Sequence, residues 1–114
     1  MSIPFSDSTK VMNAVATTTT SDAYDISKRQ LITAQFITAG GTSSFAIDMS
    51  NDNTNWITGV AFLDAKATAV GTYVTSKSVA STTEGAIINP GFRYMRIVCT
   101  YTNGTATCWL HSGG

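Results

Sequence analysis

The residues that can do chemistry are few in this 114-residue chain: one histidine, His111, two cysteines, Cys99 and Cys108, and seven acids. A serine or cysteine nucleophile needs a base held beside it. On strand alternation His111 and Cys108 fall on opposite faces, so they do not make such a pair. One histidine and two cysteines lack the number and spacing of a zinc set. The densest polar cluster is Asp48, Ser50, Asn51, Asp52, Asn53 and Asn55. Close-spaced oxygens of this kind can hold calcium, but only two carboxylates are present and the glutamate and glycine of an EF-hand loop are missing. A chain reversal built from Asn and Asp is the simpler expectation. Gly40-Gly41 precedes a strand pattern and is no phosphate cradle. No catalytic residue, cofactor or metal site is therefore expected, and the chain reads as non-enzymatic. The remaining equipment is aromatic: Trp56, Trp109, Tyr73, Tyr94 and Tyr101 can stack a sugar ring, anchor an interface or fill a core.

The elements that would position these groups read as strands. The segment 92–111, FRYMRIVCTYTNGTATCWLH, carries two β-branched and aromatic runs around Asn103-Gly104. Asn-Gly predicts a two-residue type I′ hairpin, both turn residues taking positive φ. That register sets Thr102 opposite Thr105 and Cys99 opposite Cys108. Met95, Ile97, Cys99, Tyr101, Ala106, Cys108 and Leu110 then share a core face. Tyr94, Arg96, Val98, Thr107, Trp109 and His111 share the other, with Arg96 diagonal to Trp109 in cation–π reach. Cys99 and Cys108 would sit in a non-hydrogen-bonded pair with Cα atoms roughly 4.5 Å apart. A disulfide fits only at the short end of its range; a reducing cytosol favours free thiols.

Upstream, QLITAQFIT (30–38) alternates, Gly40-Gly41 turns, and SSFAIDMS (43–50) returns with Phe45, Ile47 and Met49 on one face. SNDNTN (50–55) reverses the chain before Trp56. Residues 67–75 suggest a strand with Gly71 inside it. Residues 76–85 read as a weak strand or loop, and Asn89-Pro90-Gly91 as a turn. No segment carries a helical period. Seven to nine short strands with regular turn signals predict an all-β chain, an antiparallel β-sandwich or jelly roll. Residues 1–10 read as a flexible arm and 11–114 as one domain. Ile3 and Phe5 are apolar side chains that such an arm can dock on a neighbouring subunit.

Charge narrows the partners. Charged residues are 12% of the chain, about half the usual share, and seven basic residues balance seven acidic ones. No basic footprint for nucleic acid is present. No run approaches the roughly 18 apolar residues of a membrane span. MSIPFSDSTK lacks the charged and apolar regions of a secretory signal, which predicts folding in a cytosol.

Two stretches carry a resemblance. Ser50, Asn51, Asp52, Asn55 and Trp56, followed later by Phe92, Arg93, Tyr94 and Arg96, are similar to signatures in small β-sandwich virion proteins of tailed bacteriophages. These include head decoration (cement) proteins, head-fibre pieces and tail accessory domains. The same order occurs in discoidin-like carbohydrate-binding sandwiches. Asn53 departs from the pattern, where many relatives carry Gly. The resemblance implies a structural protein made in a host cytoplasm and resident in the virion. It would bind the major capsid protein or other virion proteins, as a homo-oligomer with a trimer favoured. The apolar arm and the outer hairpin face would supply the contacts: Ile3, Phe5, Tyr94, Arg96, Trp109 and His111. The alternatives are a glycan-binding module using Asn51, Asp52, Asn55 and Trp56, and a tail, connector or baseplate component.

Overall fold

The computed structural model describes residues 2–4, 8–66 and 71–112. Among them the regular structure is all strand: β1 (Ser2–Pro4), β2 (Ser8–Val15), β3 (Thr19–Thr20), β4 (Ala23–Asp25), β5 (Ile32–Ala39), β6 (Thr42–Ser50), β7 (Phe62–Asp64), β8 (Tyr73–Val74), β9 (Lys77–Ala80), β10 (Thr83–Ile88), β11 (Tyr94–Tyr101) and β12 (Thr105–Ser112). They form two facing sheets. One runs β1-β4-β11-β6-β9, with β3 also on β11; the other runs β2-β12-β5-β10-β7-β8. All pairs are antiparallel except β1 with β4. The fold is the expected β-sandwich. Its strands outnumber the seven to nine expected because several are only two or three residues long, too short to show a period.

Alternation explains which side of each strand is buried. Ile32, Ala34 and Phe36 of β5 point inward, as do Phe45, Ile47 and Met49 of β6, Met95, Ile97 and Cys99 of β11, and Ala106, Cys108 and Leu110 of β12. Phe36 stacks on Phe45 with centroids 4.7 Å apart and meets Phe62 edge-on at 6.0 Å. Each of these rings is fully buried, worth about 3–5 kcal/mol against truncation to Ala. At one edge an ion pair ties the layers: Lys77 Nζ of β9 lies 2.7 Å from Asp64 Oδ2 of β7. The hydrogen bond from Lys77 holds the Asp64 carboxyl below its ordinary range.

The expected Asn103-Gly104 hairpin does not form. β11 and β12 lie in different sheets: β11 pairs with β6, β4 and β3, and β12 with β5 and β2. Of the two turn residues only Gly104 has a positive φ, 80°, so the type I′ geometry is absent. The chain crosses the sandwich here as an arch. Gly40-Gly41 is likewise an arch, from β5 to β6, and Ser81-Thr82 is a third, from β9 to β10. Alternation cannot separate the two outcomes. The apolar row of β11 meets that of β12 whether they line one face of a ribbon or oppose each other across a core.

The three arches stack side by side. Asn103 Oδ1 accepts the Thr42 amide at 2.7 Å. The Thr42 carbonyl accepts the amides of Thr102 and Asn103, and the Gly41 carbonyl accepts that of Ser81. A Cβ on Gly41 would overlap the Asn103 backbone, and one on Gly104 would overlap the Ala39 carbonyl and the Gly41 amide. Gly40, at φ 69°, has open space around it.

The cysteines are both free and buried, one in each sheet. Burial pushes both thiols up, and Cys99 adds to the effect at Cys108. Inert small core side chains are what such thiols make. The boundary expected at residue 10 also shifts. β2 begins at Ser8, and Ser2–Pro4 pair in parallel with Ala23–Asp25, setting Ile3 beside Tyr24. Residues 2–4 and 8–10 thus belong to the sheets, while Phe5 lies outside the described residues.

The glycines give a graded test. Gly40→Ala carries left-handed strain alone, about 1–2 kcal/mol. Gly104→Ala adds overlap with backbone that cannot move aside, for a total of about 3 kcal/mol or more. Urea denaturation of the two variants should show that order; equal losses would contradict the stacked arches.

Candidate functional site

Because β11 and β12 sit in opposite layers, the contact face expected from Tyr94, Arg96, Trp109 and His111 is split in two. Tyr94 and Arg96 lie on the outside of one sheet, Trp109 and His111 on the outside of the other. Arg96 therefore does not reach Trp109. Its guanidinium lies 4.2 Å over the ring of Trp56, and Nε donates to Asp48 Oδ2 at 3.0 Å. The Asp48 side chain is 5% exposed, and its Oδ1 accepts the Gly59 amide. Ring, guanidinium and carboxylate form a closed stack that pins the 50–60 loop to the sheet. Its neighbour Tyr94 is covered in turn by Arg93, 5.1 Å from ring centre.

The 50–55 cluster is a self-satisfied turn. Asp52 Oδ1 accepts from Ser50 Oγ, the Thr54 amide and the Asn55 amide, at 2.8, 2.9 and 2.8 Å. Its Oδ2 accepts Asn55 Nδ2 at 2.8 Å. Ser50 Oγ accepts the amides of Asp52 and Asn53. Asn51 Oδ1 accepts the Arg93 amide, which fastens the loop to the start of β11. Asn53 stands at φ 60°, which explains why Gly or Asn suits that position. Thus both carboxylate oxygens of Asp52 and the Asn55 side-chain amide nitrogen are engaged within the loop, Asn51 Oδ1 is engaged by Arg93, and one face of Trp56 is taken by Arg96. No group of three His, Cys, Asp or Glu comes together to hold a metal among the described residues.

The other outer face is open. Trp109 is 37% exposed and stands in a row with Lys10 and Gln35; His111 stands in the next row with Ser8 and Thr33. Ser8 Oγ is 2.9 Å from His111 Nδ1. Lys10 Nζ lies 5.0 Å from the centre of the indole, an exposed cation–π contact worth about 0.5–1 kcal/mol. The register of β2 against β12 slips twice, between Ala106 and Cys108 and between Cys108 and Trp109. Ala14 takes φ 50° at the first slip, where its amide binds Thr107 Oγ1. Bulges of this kind bend a strand and re-aim its side chains. A groove of about 280 Å³ on this face is lined by Ser8, Thr33, Gln35, Trp109 and His111.

A further surface went unassigned in the sequence. Leu31 (52% exposed), Tyr73 (67%) and Ile87 (37%) are large apolar side chains in the open. With Leu63 and Pro90 they line a second groove, of about 210 Å³, at the β7–β8 edge. Ile87 is opposite Thr33 in the ladder, so this patch adjoins the Trp109 groove on the same outer face. Leu31 and Ile87 each sit next to a buried Ile in sequence, and no local signal separates the two; Tyr73 is one of several aromatics with nothing in sequence to single it out.

Comparison with known proteins bears on the fold. No protein-family model matches the chain, and no curated protein matches its sequence. Among solved structures, the SPBc2 prophage-derived protein YomS superposes with a TM-score of 0.77, covering 92% of this chain and 89% of its own, at 10% identity. The two share a fold. A carbohydrate-binding module from Cellvibrio mixtus lichenase 5A, in complex with cellotriose, aligns at a TM-score of 0.32 and 10% identity, over 94% of this chain and 70% of its own; a likeness that slight carries no weight.

The loop chemistry predicts a pH effect. The hydrogen bonds of Asn55, Thr54 and Ser50 hold the Asp52 carboxyl far below the ordinary carboxylate range. A carboxyl depressed on folding stabilises the protein fully above its unfolded pKa, and that contribution is lost as pH falls toward the folded value. Urea midpoints measured from pH 6 to pH 2 should fall more steeply below about pH 5 for the wild type than for Asp52→Asn. Parallel curves would show that the turn does not depend on the ionised carboxylate.

Proposed function

We propose that the chain is a non-enzymatic structural protein of a tailed bacteriophage particle, which decorates the outside of the capsid shell as a homo-oligomer, a trimer in the simplest case. The observation that carries this proposal is the near full-length likeness in fold to a prophage-derived protein. Two features of the surface support it. Leu31, Tyr73 and Ile87 leave an apolar edge open on one sheet, the kind of surface that marks a contact with another protein. The lone histidine bonds an exposed Ser8 hydroxyl on an open sheet face, where water has free access. The partner is the major capsid protein, and the apolar edge is the contact with it. Several copies acting together hold through individually modest contacts, because the second engagement is intramolecular.

Size-exclusion chromatography with light scattering should give an oligomer, and the protein should co-sediment with shells of the phage that encodes it. Replacing Leu31 and Tyr73 together by Ser should weaken shell binding by about tenfold or more, the scale expected when one large apolar contact of about 1.5–3 kcal/mol is lost. A monomer that stays in the supernatant would overturn the proposal. Rings or tubes under negative stain would replace it with a tail or connector role.

A further inference from the structure

The Trp109 groove is an open polar concavity among the described residues, and the proposed shell contact does not use it. Its lining is specific in kind. Around one indole stand a primary amide (Gln35), an imidazole (His111) and two hydroxyls (Ser8 and Thr33). Among the described residues that line it there is no carboxylate. The positions follow from ladder register: Lys10, Trp109 and Gln35 in one row, Ser8, His111 and Thr33 in the next. Rigid strands carry every one of these groups, so their spacing is set before any ligand arrives. The register of β2 slips twice just before the row in which Lys10 pairs with Trp109.

The contact at Ser8 also orients the imidazole. With Nδ1 engaged at 2.9 Å by the hydroxyl, Nε2 is the nitrogen available to a ligand. It donates if Ser8 donates to Nδ1, and accepts if Ser8 accepts. Either way one planar hydrogen-bonding edge faces the groove beside a planar amide. An indole face offers a surface for C–H groups, and the flanking groups offer both donors and acceptors. A ligand that matches both has an apolar face and a ring of hydroxyls. The volume, about 280 Å³, lies just below the roughly 300–1,000 Å³ of drug-sized ligand sites and suits a single small ring.

From this geometry we infer that the groove formed by Ser8, Thr33, Gln35, Trp109 and His111 is a binding site for one saccharide residue of a surface glycan, with the sugar ring on the Trp109 indole. Lys10 is an exposed cap over that indole; a sugar takes its place when bound. The site is separate from the 50–55 loop and from Trp56, whose ring already holds Arg96. Binding here uses neither Leu31 nor Tyr73, although the two surfaces adjoin where Ile87 pairs with Thr33.

The test is a glycan array probed with the full chain, followed by titration of the best saccharide while tryptophan fluorescence is read. The expected result is saturable binding with a change in emission that persists in Trp56→Phe, and loss of binding by calorimetry in Trp109→Phe, which lacks the reporter. Affinity should fall by about tenfold for Gln35→Ala, the loss that one well-placed hydrogen bond to a sugar carries. Circular dichroism and the urea midpoint of Gln35→Ala, an exposed position, should stay at wild-type values. An array without hits overturns the inference, as does binding that survives both Trp109→Phe and Gln35→Ala or is lost with Trp56→Phe. Shell co-sedimentation of Gln35→Ala should be unchanged, so failure of the glycan site and failure of the shell contact are read separately.

Discussion

The stack of three arches at one end of the sandwich is the constraint on which the rest of this molecule depends. Each arch carries the chain from one sheet to the other, and each is held by its neighbour through main-chain atoms of Gly41 and Thr42. The central arch offers a carbonyl to each side, and Asn103 returns one side-chain bond to the Thr42 amide. Such contacts fix the order of strands in both sheets at once: β11, β6 and β9 in one, β12, β5 and β10 in the other. They involve little apolar surface. Their role is to select one pairing among several that would bury the same core.

Selecting that pairing decides what the outer faces can do. Had β11 and β12 paired, Arg96 and Trp109 would have stacked on each other on one surface. Instead each found a different partner. Arg96 closes on Trp56 and Asp48, and that face becomes structural, with its polar groups consumed. Trp109 is left with an exposed lysine, and that face remains open. Binding capacity is therefore asymmetric. One sheet is sealed by a loop that satisfies its own donors and acceptors, and the other presents an indole, an imidazole and an adjoining apolar edge.

Much of this was legible from spacing. The period-two alternation in 32–38, 43–49, 94–101 and 105–112 identifies the buried residues of the four long strands, and the burial of Phe45, Ile47, Met49, Ile97, Cys99 and Leu110 follows it. The 50–55 turn follows from Asn and Asp chemistry. Pairing did not follow, because hairpin and arch put the same rows of side chains into the core and differ only in backbone partners. Those partners lie some sixty residues away, as with Asn103 and Thr42. The preference of Asn-Gly for tight hairpins is a local tendency, and here the demand of β6 and β5 for neighbours overrides it. The exposure of Leu31 and Ile87 was hidden for a related reason: a strand's outer face is polar or apolar according to what covers it, which no local pattern records.

Cross-strand backbone NOEs in a uniformly labelled sample address the arches most directly. The crossing predicts contacts of Cys99 with Phe45 and Ile97 with Ile47 on one side, and of Cys108 with Phe36 and Leu110 with Ala34 on the other, matching the two ladders. A ladder joining Thr102 to Thr105 and Tyr101 to Ala106 as backbone neighbours, continuing to Cys99 with Cys108, would return β11 and β12 to a single ribbon and contradict the separation of the two faces.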